Sequence, residues 1–413
     1  MRSPRQPLGA LWHNRDYMLL WSGQVVSTLG SAASSIIYPL LILALTNSPE
    51  AAGIAGALRA IPYLVLSLPV GALIDRWDRK RVMILCDVGR ALTAASIPIA
   101  MGFGVLTLWQ IYAATLIEGS LFVLFNIAEV AALPRIVPAH HLPQAAAQNE
   151  AGFGVANIVG PSFGTMLYQA FGRSVPFIAD AVSYVVSVAS LLRIRTAFRT
   201  APPATKRNLH VEIAEGLRWV WHNPLIRYMA ILTGGLNLIN AAFPLIVIVL
   251  AKHLGAGDGE IGVIFSIGGI GGVVGSLVGG QIQRRFTFGQ VIIAVVWLDA
   301  LLFPLYAIAP SYILLGVIAG LIFVLGPIYN VVQFSYRLSI IPDELQGRVN
   351  STFRLIAFGF MPVGAWLSGV LIERVGALDT VLVFAAWLLL LAGLTTFNRH
   401  VRKARPIAQA AVA

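Results

Sequence analysis

Charge is scarce in this chain. Of 413 residues only 11% are Asp, Glu, Lys or Arg, 57% are hydrophobic, and the mean hydropathy is +0.79. A soluble protein of this length needs far more polar surface, which excludes a water-soluble globule. Acids are the scarcer sign, 18 against 29 basic residues, leaving a formal charge of +11. A basic surplus can mark a nucleic-acid binder. Here the basic residues sit in short runs between apolar segments, as they do in membrane proteins. No nucleic-acid partner is expected. The single cysteine, Cys86, allows no internal disulfide and is silent on redox compartment. A glycine-rich phosphate loop ending in lysine is missing, which argues against ATP as energy source. His140 and His141 share a turn without further ligands, so neither a metal nor another cofactor is expected. Paired acid–base clusters near a surface are also missing, so the chain does not read as an enzyme. No cleavable signal peptide is expected: the first apolar run follows Arg15 and Asp16, is too long, and has no small-residue cleavage site.

What the chain does have is apolar length. Runs of about 20 residues, enough to cross hydrocarbon, follow one another from end to end. Turn residues and charges divide them into twelve expected helices near 16–45, 51–74, 82–104, 106–133, 144–171, 174–194, 224–252, 258–283, 289–309, 311–340, 349–373 and 377–398. The tightest divisions fall at 102–107, 171–174 and 309–311. An even count puts both termini on one side. All but five of the 29 basic residues then share that side. Arg173, Lys252 and Arg374 face away, while Arg59 and Arg90 fall inside spans. By the positive-inside rule both ends are cytoplasmic. The expected class is an all-α integral protein of the inner membrane.

Its expected organisation is a six-helix bundle (1–194), a linker (195–223), a second bundle (224–398) and a cytoplasmic tail (399–413). Pro202 and Pro203 make the linker's start extended. Leu209, Ile213, Leu217 and Val220 then recur opposite Glu212, Glu215 and Arg218, an amphipathic helix for the inner leaflet and a tether between halves. The halves resemble each other. PRIVPAHHLPQAAAQNEAGF (134–153) and LSIIPDELQGRVNSTFRLIAF (338–358) each join an even-numbered span to the next. GALIDRWDRKR (71–81) has a decayed counterpart in GGQIQRRFTFG (279–289), which keeps Arg284 and Arg285. Parallel repeats of six spans are the architecture of transporters that rock two halves about a midplane site.

GALIDRWDRKR resembles the signature loop between helices two and three of the major facilitator superfamily, G-x-L-x-D-R-x-G-R-R/K, with Asp78 where glycine is usual. Together with LWHNRDYMLLWSGQVVSTLG near the start, it is most similar to the efflux branch that holds siderophore exporters and macrolide pumps. The resemblance covers nearly the whole chain. Gly71 permits a close helix approach at the turn. Asp75 can face the positive N-terminal end of a neighbouring helix. In the family that neighbour is helix eleven, here beginning near Asn350, and the contact latches the halves while the cavity opens outward. The resemblance makes Arg79 a bridge from Asp75 to an acid ending helix four, for which Glu129 is the candidate. Arg76, Arg79, Lys80 and Arg81 would also suffice simply to set topology.

Helix five carries GFGVANIVGPSFGTML, with Gly152, Gly154, Gly160, Pro161 and Gly164. This resembles the bending motif of proton-coupled exporters, except that Thr165 replaces the second of a terminal glycine pair. Gly and Pro are common in membrane helices, so packing alone is the alternative. The glycines of helix eight read as packing.

A charge at the bilayer centre costs about 3 kcal/mol or more, so each needs a partner or a role. Arg59, Asp87, Arg90, Glu118, Asp180 and Asp299 all fall inside spans. The resemblance implies that helices one, four, seven and ten line the cavity. Glu118 on helix four is therefore the leading candidate for the coupling proton, with Arg59 at similar depth as its cation; a permanent brace between the two is the alternative. Asp87 and Arg90, three apart, read as a pair, with Asp87 a lesser proton candidate. Asp180 and Asp299 read as packing or second-tier sites. Exporters of a related branch carry an arginine three residues before a Gln-Gly pair on helix four; here that pair is Glu118-Gly119 and the arginine position is Thr115. Polar faces of the cavity helices offer Gln24, Ser27, Ser31 and Tyr38; Phe122 and Asn126; Asn237 and Asn240; Tyr329, Asn330, Gln333 and Tyr336. Each could equally bond a neighbouring helix. Together they imply a weakly charged, amphipathic cavity. The expected activity is monomeric, proton-coupled export of a partly apolar small molecule such as a drug, antibiotic or siderophore. Uptake, lysophospholipid flipping and a non-transporting receptor are the alternatives. Asp75→Asn should reach the membrane at normal abundance yet abolish flux in a whole-cell efflux assay; normal flux would remove the latch.

Overall fold

The computed structural model describes residues 11–74, 77–138, 141–196, 198, 209–342 and 345–404, and nearly all of them are helical. Asp75, Arg76, His140, Pro202 and Pro203 lie outside these residues. In the first half run α1 (Arg15–Thr46), α2 (Pro49–Ile74), α3 (Arg79–Gly102), α4 (Leu108–Ile136), α5 (Leu142–Phe171) and α6 (Val175–Arg193). The linker helix α7 (Leu209–His222) follows. Next come α8 (Pro224–His253), α9 (Asp258–Arg285), α10 (Phe288–Leu302), α11 (Tyr312–Ile340), α12 (Gln346–Gly359), α13 (Met361–Val375), α14 (Ala377–Phe397) and the short α15 (Arg399–Arg402). Among the described residues ten helical stretches are long and apolar enough to cross a membrane. The helices α2 and α5, of 26 and 30 residues, occupy the places of the second and fifth expected spans.

Local chemistry sets the boundaries. Asp78, Thr107, Asn223 and Ser311 cap α3, α4, α8 and α11 by accepting from first-turn amides, and Thr287 with Gln290 forms a capping box on α10. The aspartate that departs from the family loop thus has a local task. It starts α3. The tight turns at 102–107 and 171–174 close on Gly104 (φ 68°) and Gly172 (φ 92°), where any other residue would be strained.

Two spans are less regular than expected. The ninth winds into a 3-10 segment at Phe303–Ile308, because Pro304 in its first turn cannot donate to the preceding turn. The eleventh is broken at Phe360 between α12 and α13, with Pro362 in the first turn of α13.

The helices gather into two compact units. One is Met1–Ile37 with Val65–Thr205; the other is Tyr38–Leu64 with Lys206–Ala413. In the first, α5 crosses α1 so closely that a side chain on Gly160 or Gly164 would overlap Ala32 or Ala33. In the second, Gly364 of α13 meets the Leu238 carbonyl of α8 in the same manner, and Gly271 of α9 meets Gly320 of α11. The α1–α5 and α8–α13 crossings are thus both close glycine contacts.

The helix α7 forms as expected but is seated on protein. Gly216 lies against the Arg348 carbonyl and Thr352, Val220 is buried, and Glu215 pairs with Arg348 of α12. Its docking face passes through Gly216 and Val220, while Leu217 is exposed.

Candidate functional site: a buried charge cluster and two helix-end contacts

Four helices of the first unit converge on Arg90. The small side of Gly30 on α1 lets α6 bring Ser183 and Asp180 close. Arg90 is 5% exposed, Asp87 and Asp180 are 0%, and Glu118 is 3%. The Arg90 Nη1 lies 3.5 Å from Asp87 Oδ1. Its Nη2 donates to Ser31 Oγ (3.0 Å), which is 2.8 Å from the Tyr184 hydroxyl. The guanidinium sits 4.1 Å over the Tyr184 ring and 5.6 Å from that of Phe122. Asp180 is fully buried and accepts from Ser34 Oγ at 2.6 Å, and Glu118 is buried on α4, whose Phe122 ring meets the guanidinium. Three buried carboxyls therefore stand on the helices packed around one guanidinium. Ionising all of them would leave the cluster two charges in excess in a medium that solvates charge poorly.

This arrangement assembles residues the sequence kept apart. Thr115, the position where a related branch carries arginine, is buried and bonds back to the Tyr112 carbonyl. The guanidinium near Glu118 comes instead from α3. Arg59, expected beside Glu118, is half-buried and belongs to the second unit. Asp180 and Tyr184 were not singled out as partners; the spacing of Ser31 and Ser34 facing them was the available signal. Asp299 is half-buried on α10 near Tyr306. Among the described residues the second unit has no comparable cluster: its Arg337, 5% exposed, stacks 3.9 Å over Phe353.

The basic end of the first unit is tied by polar contacts. Arg79 is buried and donates to the Ala131 carbonyl (2.9 Å). Arg81 approaches Asp78 at 3.8 Å, and Lys80 donates to the Ile194 carbonyl ending α6. Glu129 accepts from Asn149 Nδ2 at 3.5 Å. Gly71 falls in the last turn of α2, just before the undescribed Asp75 and Arg76.

At the other end of α2 stands a contact that sequence reading missed. Glu373 of α13 accepts from Ser48 Oγ (2.5 Å) and from the Glu50 backbone amide (2.9 Å), so its carboxylate faces the positive start of α2. Nearby, a Cβ on Gly53 would lie 2.9 Å from Gly369 Cα, and one on Gly369 would lie 2.6 Å from the Pro49 carbonyl. Both partners belong to the second unit.

The expected cavity residues have mixed surroundings. Ser27 is buried and bonds to the Gln24 carbonyl, while Gln24 Nε2 has no partner. Gly152 packs on Trp21 and Val25. Tyr38 is buried in the second unit, and Asn126 is half-buried. Asn237 donates to the Ala357 carbonyl of α12 (2.9 Å), and Thr233 Oγ1 meets the Tyr329 hydroxyl (2.7 Å). Asn240 and Asn330 are exposed. Gln333 is buried with Nε2 unbonded, and Tyr336 stacks 4.2 Å from Phe288.

Because Arg90 is the one cation described among three buried acids, its loss should cost more than the loss of one of them. Arg90→Gln should destabilise the purified protein by about 3–5 kcal/mol, and Asp87→Asn by clearly less. Thermal unfolding in detergent reads this difference; equal losses would mean that Arg90 answers to Asp87 alone.

The multidrug efflux pump Tap of Mycolicibacterium fortuitum is 26% identical over 94% of this chain and 96% of its own. Macrolide efflux protein A of Streptococcus pyogenes is 24% identical over 95% and 98%. Among solved structures, the nucleoside transporter NupG superposes with a TM-score of 0.74 at 15% identity, covering 94% of this chain and all of the other. A bacterial homologue of the iron transporter ferroportin gives 0.72 at 17% over 95% and 99%. The family model described as Major Facilitator Superfamily matches residues 20–365, and the chain belongs to that family: it is a multi-pass membrane transporter and not an enzyme.

Proposed function

We propose that this transporter exports hydrophobic or amphipathic small molecules across the cell membrane in exchange for protons. The observation that carries the reading is the burial of the Arg90–Asp87 pair together with Asp180 and Glu118 on the helices packed around it. A cluster with more acids than cations retains a proton in one geometry and releases it when a helix carries the guanidinium away. Glu118 is the member on a cavity helix, which makes it the coupling acid. Its relatives named for multidrug and macrolide efflux support the outward direction and the substrate class. The architecture proposed is a monomer of twelve spans in two bundles, 1–194 and 224–398, joined through residues 195–223, with both termini in the cytosol.

The two ends of α2 give alternating access a physical basis. On the family resemblance Asp75, outside the described residues, would latch the outward-open form. Glu373 at the opposite end holds the inward-open form against the start of α2. Glu373 is a carboxylate on a helix dipole, and its exposed contacts can break and reform without disturbing a buried bond.

In a host lacking its own pumps, expression should lower accumulation of several lipophilic drugs and macrolides, and a protonophore should abolish the difference. Lower accumulation that survives the protonophore would contradict proton coupling. Separately, joining Ser48→Cys to Glu373→Cys with a short reducible linker, in a Cys86→Ala background, should stop efflux until the linker is reduced. Full efflux with complete cross-linking would remove the outer clasp.

A further inference from the structure

The helix α15 is only four residues long, yet it is firmly seated. Asn398 caps it, accepting from the amides of His400 (2.9 Å) and Val401 (3.2 Å). Val401 is fully buried, and its carbonyl lies against Gly289, where any side chain would overlap it. This docking leaves Arg399, His400, Arg402 and Lys403 exposed on one turn. Three of them, Arg399, His400 and Lys403, line a cavity of about 360 Å3 with Leu225, Tyr336 and Ala404. No acid lines it. The Tyr336 ring, held on Phe288, and Leu225 in the first turn of α8 give the cavity an apolar side.

We propose that this cavity binds the phosphate headgroup of an anionic lipid from the cytoplasmic leaflet. It lies where α8 begins and α14 ends, at the basic end of the helices, which the positive-inside rule assigns to the anionic leaflet. Guanidinium and ammonium groups suit phosphate oxygens. The pocket is preorganised, because Asn398 and Val401 hold the basic turn in place. The last turns of α14 expose Leu394 (53%) and Phe397 (80%) directly before Arg399, an apolar track for the lipid's tails. Free phosphate shares the headgroup chemistry but would use none of that track.

The test uses the full chain, delipidated in detergent, with phosphatidylglycerol, phosphatidylcholine or inorganic phosphate added back. Thermal unfolding and native mass spectrometry are the readouts. Phosphatidylglycerol should raise the unfolding temperature and remain bound, while phosphatidylcholine should do neither. In R399Q/K403Q, which alters only exposed side chains, retained phosphatidylglycerol should fall roughly tenfold or more. R284Q/R285Q, with the same charge change at the end of α9, should retain it as wild type does. Equal retention by both double variants, or equal loss from both, would overturn the site. Equal protection by inorganic phosphate would overturn the assignment to lipid.

Discussion

A guanidinium inside a bilayer must be neutralised by whatever the adjoining helices carry. Arg90 imposes that requirement on the first unit, and much of the local sequence answers it. Asp87 lies one turn earlier on the same helix; Ser31 and Ser34 supply hydroxyls from α1; Tyr184 supplies an aromatic face from α6. Gly30 is small because α6 must come close enough to place Asp180. The cost of leaving such a cation bare exceeds that of any single apolar contact nearby, so packing adapts to charge here. Arg337, in the last turn of α11, is handled differently, by the Phe353 ring of α12 and by the negative end of its own helix.

That asymmetry suits a transporter with one coupled bundle. A site that moves protons needs carboxyls whose charge depends on a neighbour that can shift. On the proposed coupling, three buried acids on the helices around one arginine would meet that need. Contacts at helix ends then convert a local change into a large one. Glu373 on the start of α2 is an exposed interaction of modest strength, which is what a reversible clasp needs. The glycine seams between α1 and α5 and between α8 and α13 supply the rigidity on which such clasps act.

The spans were largely legible in the sequence, and the pairings were not. Apolar length and capping residues place most helix ends within a few residues, because hydrocarbon thickness and orphan amides act locally. Pro304 and Pro362 announced irregularity, yet the ninth and eleventh spans were read as continuous, since proline is tolerated in membrane helices when neighbours satisfy the freed carbonyls. Periodicity tells which face a residue occupies and not what it faces. Ser27 and Ser31 looked like cavity lining, but Ser31 meets Arg90 and Tyr184. Glu373 read as a span boundary because its partners lie 325 and 323 residues away. Asp180 read as packing or a second-tier site, and sequence alone did not reveal its hydrogen bond to Ser34 of α1.

The most direct measurement is substrate-driven proton movement in proteoliposomes, comparing wild type with Glu118→Gln and Asp87→Asn. A coupling cluster predicts proton flux on substrate addition in the wild type, its loss in Glu118→Gln, and substrate binding retained in both variants. Undiminished flux in Glu118→Gln would show that the charges around Arg90 only brace the bundle.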